Sequence, residues 1–130
     1  MREVTSHHTN EANRAITIGV YEYEDGRPFN YDCNWQERDG SGRSVEIPIQ
    51  HGPIGEVGVN GLTLEVLLGI ARDLLEYHQC TQYACVENRM ALDLVTEAAG
   101  ILEDRTRRRT AEGVEGTLQL DATDDTGAAP

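Results

Sequence analysis

Two runs of apolar residues at helical spacing, unequal in length and only a few residues apart, constrain this chain more than any other feature. Leu64, Leu67, Leu68, Ala71, Leu74 and Leu75 mark one face of a helix. It opens at Thr63, a good N-cap with Glu65 in the first turn, and runs to about Gln79. Cys80-Thr81-Gln82 breaks it. Met90, Ala91, Leu92, Val95, Ala98, Ala99, Ile101 and Leu102 then mark a second helix from near Ala84 to about Ala111, with Gly113 as a C-terminal stop. So short a connection predicts an antiparallel αα-hairpin. The first helix, of about 17 residues, reaches ~25 Å, and the second, of about 28, reaches ~42 Å. The far end of the second helix, with Ile101 and Leu102, therefore overhangs its partner. Either a small sheet or another copy of the chain must cover it, and the expectation is a homo-oligomer.

The segment before the helices reads as β. Ile16, Ile18 and Val20 alternate with Thr17, Gly19 and Tyr21, the period of a half-buried strand. Asp25-Gly26 supplies a turn. A second strand is expected over 31–36, ending in the turn cluster 37–42. A third is expected over 44–49, where Pro48 should confine it to an edge or end it. Residues 51–62 (HGPIGEVGVNGL) hold four glycines and a proline and read as a shaped loop. The expected fold class is α+β: a small N-terminal antiparallel β-sheet followed by a C-terminal antiparallel αα-hairpin. The expected division is a flexible leader over 1–13 and a single domain over 14–117. That domain comprises a sheet part (14–50), a loop (51–62) and a helical hairpin (63–112). A disordered acidic tail follows over 118–130.

Charge narrows the function classes. The net charge is −12 and every basic residue is Arg. A chain this acidic is a poor match for general nucleic-acid binding, which needs a basic face against the phosphates, so no DNA partner is expected. No stretch approaches the roughly 18 apolar residues of a membrane span, so no membrane partner is expected either. Three cysteines, an odd number, fit reduced thiols in a cytosol rather than a disulfide framework. No Walker pattern, nucleophile elbow or purposeful carboxylate pair is present. Cys80, Cys85 and His78 make only three plausible metal ligands, without Cys-x-x-Cys spacing. His7-His8 sits in the leader without a scaffold for a metal. No catalytic residue, metal site or cofactor is expected.

Two features remain to be explained. Arg105, Arg107, Arg108 and Arg109 crowd into five positions, and Arg105 and Arg109 form an i, i+4 pair that continues the apolar face of the second helix. Guanidinium forks on such a face suit bidentate phosphate binding. They could equally offset the helix dipole and pair with Glu103, Asp104 and Glu112. Asn88, near the start of the same helix, could read a base edge or satisfy a helix end. It stands 17 residues from Arg105, about 25 Å along the axis. If both belong to one small-ligand site, that site lies between chains.

Several pieces now fall into a pattern. Gly52-Pro53-Ile54, Glu56-Val57-Gly58-Val59-Asn60-Gly61 and Ala84-Cys85-Val86-Glu87-Asn88-Arg89 are followed by Arg105-Thr106-Arg107-Arg108-Arg109 and Gly113-Val114-Glu115-Gly116-Thr117. Over residues 50–117 the chain resembles the phage anti-Thoeris sponge family, whose hairpin is shared with the phage anti-CBASS sponges. The resemblance implies a viral immune-evasion protein of the host cytoplasm. Such a protein sequesters a small-molecule cyclic nucleotide second messenger without degrading it. It implies glycocyclic ADP-ribose as ligand, cyclic oligonucleotides at a separate site, and a homo-oligomer with inter-protomer pockets. By position it assigns ligand binding to Asn88, Arg105 and Arg109, with His78 where the family places a stacking Phe. The alternatives are a sponge for CBASS cyclic di- or trinucleotides, and an acidic nucleic-acid mimic or partner-blocking protein.

Overall fold

In the structure, a computed structural model, residues 1–113 are described; the expected acidic tail over 118–130 lies outside them. The fold is α+β, with a four-stranded antiparallel sheet followed by helices. The strands are β1 (Arg2–Val4), β2 (Thr17–Glu22), β3 (Pro28–Gln36) and β4 (Gly42–Pro48), in the order β1-β2-β3-β4. The helices are α1 (Glu11–Arg14), α2 (Ile54–Val57), α3 (Leu64–Gln79) and α4 (Val86–Ala111). The chain forms two compact units, one of residues 1–51 and 59–62, the other of residues 52–58 and 63 onward.

Register sorts the side chains of the sheet into two faces. Val4, Ile18, Cys33 and Val45 stand in one cross-strand row, and Arg2, Val20, Tyr31 and Ile47 in the next. These rows are the apolar face, with Val20 fully buried. Its opposite carries Glu3, Gly19, Asp32 and Glu46 in one row and Thr17, Asn34 and Ser44 in another. A one-residue slip would exchange the two faces, so the alternating pattern sets the register. Gly26 closes the β2–β3 hairpin at φ 87° and Gly40 the β3–β4 hairpin at φ 89°, a region open to glycine without strain. β4 is an edge strand and ends at Pro48, where the missing N–H costs no ladder bond.

The amino terminus differs from the sequence reading. Residues 1–13 are low in apolar content, yet Arg2–Val4 pair with Ile18–Val20 as a fourth strand, and Asn10 caps the single turn α1. Backbone pairing along the free edge of β2 needs no apolar side chain, so composition does not register it. His7 adds a tie: its Nε2 donates to the Ile16 carbonyl at 2.6 Å. Val20 and Leu92, 0% and 7% exposed, are the buried apolar residues among those described. The helix limits follow the expected caps closely. Thr63 accepts from the Val66 N–H at 3.4 Å and opens α3. Gly113, at φ 75°, follows the end of α4.

Candidate functional site

The helical unit carries the residues singled out above. α3 and α4 pack on each other and are joined by six residues. That connection is held by polar side chains. Gln79 Oε1 accepts from the Cys85 N–H at 3.1 Å, and the Thr81 hydroxyl accepts from the Tyr83 N–H at 3.1 Å while donating to the His78 carbonyl at 2.7 Å. Cys85 is the N-cap of α4, with its sulfur accepting from the Asn88 N–H at 3.4 Å. The Asn88 amide donates to the Tyr83 carbonyl at 3.3 Å. Asn88 thus ties the connection to the first turn of α4. His78 stands at the last turn of α3, exposed, with its ring edge-on to Tyr77 at 5.7 Å.

The connection therefore brings His78 and Asn88 to one end of the helix pair. Arg105 and Arg109 lie towards the other end of α4. The helix is unbroken between Asn88 and Arg105, so about 25 Å separates them along its axis. The two arginines differ in setting: Arg109 is 6% exposed, whereas Arg105 is exposed. Arg107 turns outward and is held by Glu103 at 2.7 Å and Asp104 at 3.0 Å. Arg108 lies 3.8 Å from Glu112. The arginine cluster is thus split: Arg107 and Arg108 balance nearby carboxylates, and Arg109 is buried within a last turn whose carbonyls favour positive charge.

Each helix also carries an apolar stripe open to solvent. Val66, Ile70, Leu74 and Tyr77 recur at helical spacing on α3, as do Val86, Met90, Leu94 and Ile101 on α4. Ile101 is 61% exposed, in keeping with the overhang expected from the helix lengths, while Leu102 is half-buried. Leu64 and Leu74, placed by periodicity on the packed face of α3, are exposed as well.

The loop ahead of α3 is shaped by a device that the sequence reading missed. Asn60 closes it on His51 with two side-chain bonds, and the Asn60 N–H donates to Gln50 Oε1 at 2.9 Å. Gly61 must be glycine there, since a Cβ would fall 2.5 Å from the Ile49 carbonyl carbon. An Asn-Gly pair at the end of a glycine-rich stretch was the available signal. Tyr23, Phe29 and His51 pack as a small ring cluster, with the Arg27 guanidinium 5.1 Å from the Tyr23 ring centre.

Among the described residues no group of three or more His, Cys, Asp or Glu side chains could hold a metal ion, and no helix is long and apolar enough to cross a membrane. All three cysteines are free thiols.

No protein-family profile matches the chain. A curated relative does: Thoeris anti-defense 1 of Bacillus phage SBSphiJ7 is 38% identical over 80 residues. That segment is 62% of this chain, and it spans 56% of the relative's length. Over that segment the chain is similar to a phage anti-Thoeris protein, of which it spans a little over half the length.

Proposed function

We propose that this protein sequesters a cyclic ADP-ribose-type signalling nucleotide without degrading it, and so blocks Thoeris antiviral defence in the cytoplasm of the infected host. One observation carries the reading: Asn88 and the Arg105–Arg109 pair stand at opposite ends of one unbroken helix. They are too far apart to share a small ligand within a chain, but an antiparallel second copy would set the Asn88 end of one helix beside the arginines of the other. The solvent-open stripes on α3 and α4 support such a partner, since contiguous exposed apolar surface is the usual mark of an interface. In this arrangement Arg105 takes a phosphate as a two-pronged donor, Asn88 reads a base edge and His78 stacks on the base. The relative's name supports the defence system concerned.

The test is to incubate the protein with a mixture of cyclic ADP-ribose isomers and cyclic oligonucleotides, recover it, denature it by heat and identify the released molecule by mass spectrometry. Intact cyclic ADP-ribose is the expected product. Release of a cyclic di- or trinucleotide alone would move the target to CBASS signalling. A hydrolysed product would make the protein an enzyme. Release of nothing would leave a protein of charge −12 that acts on a macromolecular partner.

A further inference from the structure

The connection between α3 and α4 fixes which way the Asn88 amide faces. Asn88 Nδ2 donates to the Tyr83 carbonyl at 3.3 Å, which turns the nitrogen end of the amide inward. A flipped amide would set Oδ1 against that carbonyl, two acceptors in contact. Half-buried Asn88 therefore keeps Oδ1 as an acceptor and one N–H as a donor for a ligand.

The Tyr83 carbonyl is itself held in direction. The N–H of the same peptide unit, that of Ala84, donates to the Thr81 carbonyl at 3.1 Å. In a planar trans peptide the N–H and C=O point in opposite directions, so anchoring one anchors the other. The Thr81 side chain secures the preceding peptide. Its hydroxyl accepts from the Tyr83 N–H at 3.1 Å and donates to the His78 carbonyl at 2.7 Å. One hydroxyl thus links the backbone of His78 to the residue whose carbonyl orients Asn88. At the helix start, Gln79 Oε1 accepts from the Cys85 N–H at 3.1 Å and the Cys85 sulfur from the Asn88 N–H at 3.4 Å.

The orientation has a chemical consequence. An acceptor beside a donor matches the 6-amino group and N7 of adenine, which present a donor beside an acceptor. Guanine or hypoxanthine presents an oxo group in place of the amino group, and Oδ1 would then face a second acceptor.

We infer that Thr81 is a positioning residue of the nucleotide site. By fixing the turn at Tyr83 it locks the Asn88 amide, and the locked amide selects a 6-amino purine over a 6-oxo purine. The inference rests on the proposed role of Asn88 in binding a base. Calorimetric titration of the full chain with glycocyclic ADP-ribose and with its deaminated, hypoxanthine-containing counterpart tests it. The wild-type protein should favour the adenine compound by roughly 10- to 100-fold. Thr81→Val, which keeps the shape and removes the hydroxyl, should lower that ratio about tenfold, the size of one lost hydrogen bond. Thr81→Ser should restore it. A general loss of stability would weaken both compounds alike and leave the ratio where it was. NMR of the unliganded wild-type protein gives a second readout. One of the two Asn88 side-chain N–H resonances should shift far less with temperature than the other, the sign of a hydrogen bond inside the protein. A wild-type protein that binds neither compound removes the nucleotide reading, and this inference with it. So does an Asn88→Ala variant that binds both as the wild type does. Where Asn88→Ala does weaken binding, an unchanged ratio in a folded Thr81→Val protein overturns the inference alone. A wild-type ratio near one does the same, as does equal temperature dependence of the two Asn88 resonances.

Discussion

Asn60 and His51 exchange two hydrogen bonds: the His51 N–H donates to Asn60 Oδ1 at 3.0 Å, and Asn60 Nδ2 donates to the His51 carbonyl at 2.8 Å. One side chain thus replaces a strand partner and closes the glycine-rich loop at its ends. His51 is held from the other side by its ring, edge-on to Tyr23 at 5.8 Å.

Removing this clamp is the first test. Asn60→Ala should cost about 1–3 kcal/mol, because two backbone groups of His51 lose their partner. Asn60→Asp should also destabilise, since a carboxylate oxygen would face the His51 carbonyl. Urea denaturation measures the cost, and hydrogen exchange at the His51 amide locates it. Unchanged exchange in Asn60→Ala would mean that the clamp does not hold the loop.

The arginines separate a phosphate site from a capped helix end. Arg105→Ala should weaken nucleotide binding by about 1.5–3 kcal/mol, roughly 10- to 150-fold. Lysine there should restore only part, lacking the two-pronged fork. Arg109→Ala should lower both affinity and melting temperature, because that side chain is buried. Arg107→Ala should change affinity little, its exposed pairs with Glu103 and Asp104 being worth well under about 1 kcal/mol. Calorimetric titration that finds all three equally damaging would reduce the cluster to diffuse charge.

Assembly follows from the open stripes. Light scattering at micromolar concentration should give a mass above the 14.4 kDa of one chain. Leu94→Glu and Ile101→Glu should shift the distribution towards monomer while circular dichroism keeps its helical signal, because a buried carboxylate is costly at an interface and cheap in water. A monomeric wild-type protein would remove the cross-chain site.

The thiols should differ in reactivity. Cys80 and Cys85 are exposed, whereas Cys33 is half-buried in the sheet. Its pKa is raised above the ordinary 9.0 by that burial and, second, by the neighbouring Asp32 carboxylate. At pH 8 iodoacetamide should therefore modify Cys80 and Cys85 well before Cys33, as peptide mass spectrometry would record. Equal rates at all three positions would contradict the placement of Cys33.

Two turn carboxylates set an acid limit. Asp25 is pulled below the ordinary 3.8 first by the Arg27 N–H, and Asp39 first by the Ser41 hydroxyl. A folded pKa below the unfolded one means that their contribution is present above pH 3.8 and is lost as pH falls through the lowered value. The Arg27 and Ser41 amide resonances should report midpoints under 3.8 in an NMR titration. Midpoints at or above that value would show that the turn bonds do not form in solution.

What the sequence determined by itself was local. Thr63 and Gly113 marked helix ends that the structure keeps, because a cap depends on bonds within one turn. Asp25-Gly26 marked a hairpin turn, and the alternation around Ile18 and Val20 marked β2, for the same reason of short range. The strand β1 was invisible, since its polar residues are held by backbone pairing to β2. Nor could periodicity tell the buried Arg109 from the exposed Arg105 one turn earlier, or show that α3 and α4 each leave a second apolar stripe in water. The polar row of Thr17, Asn34 and Ser44 likewise required register across three strands. Tertiary structure decided these features because they depend on which faces meet across long sequence separations, and spacing along a single element carries no information about that.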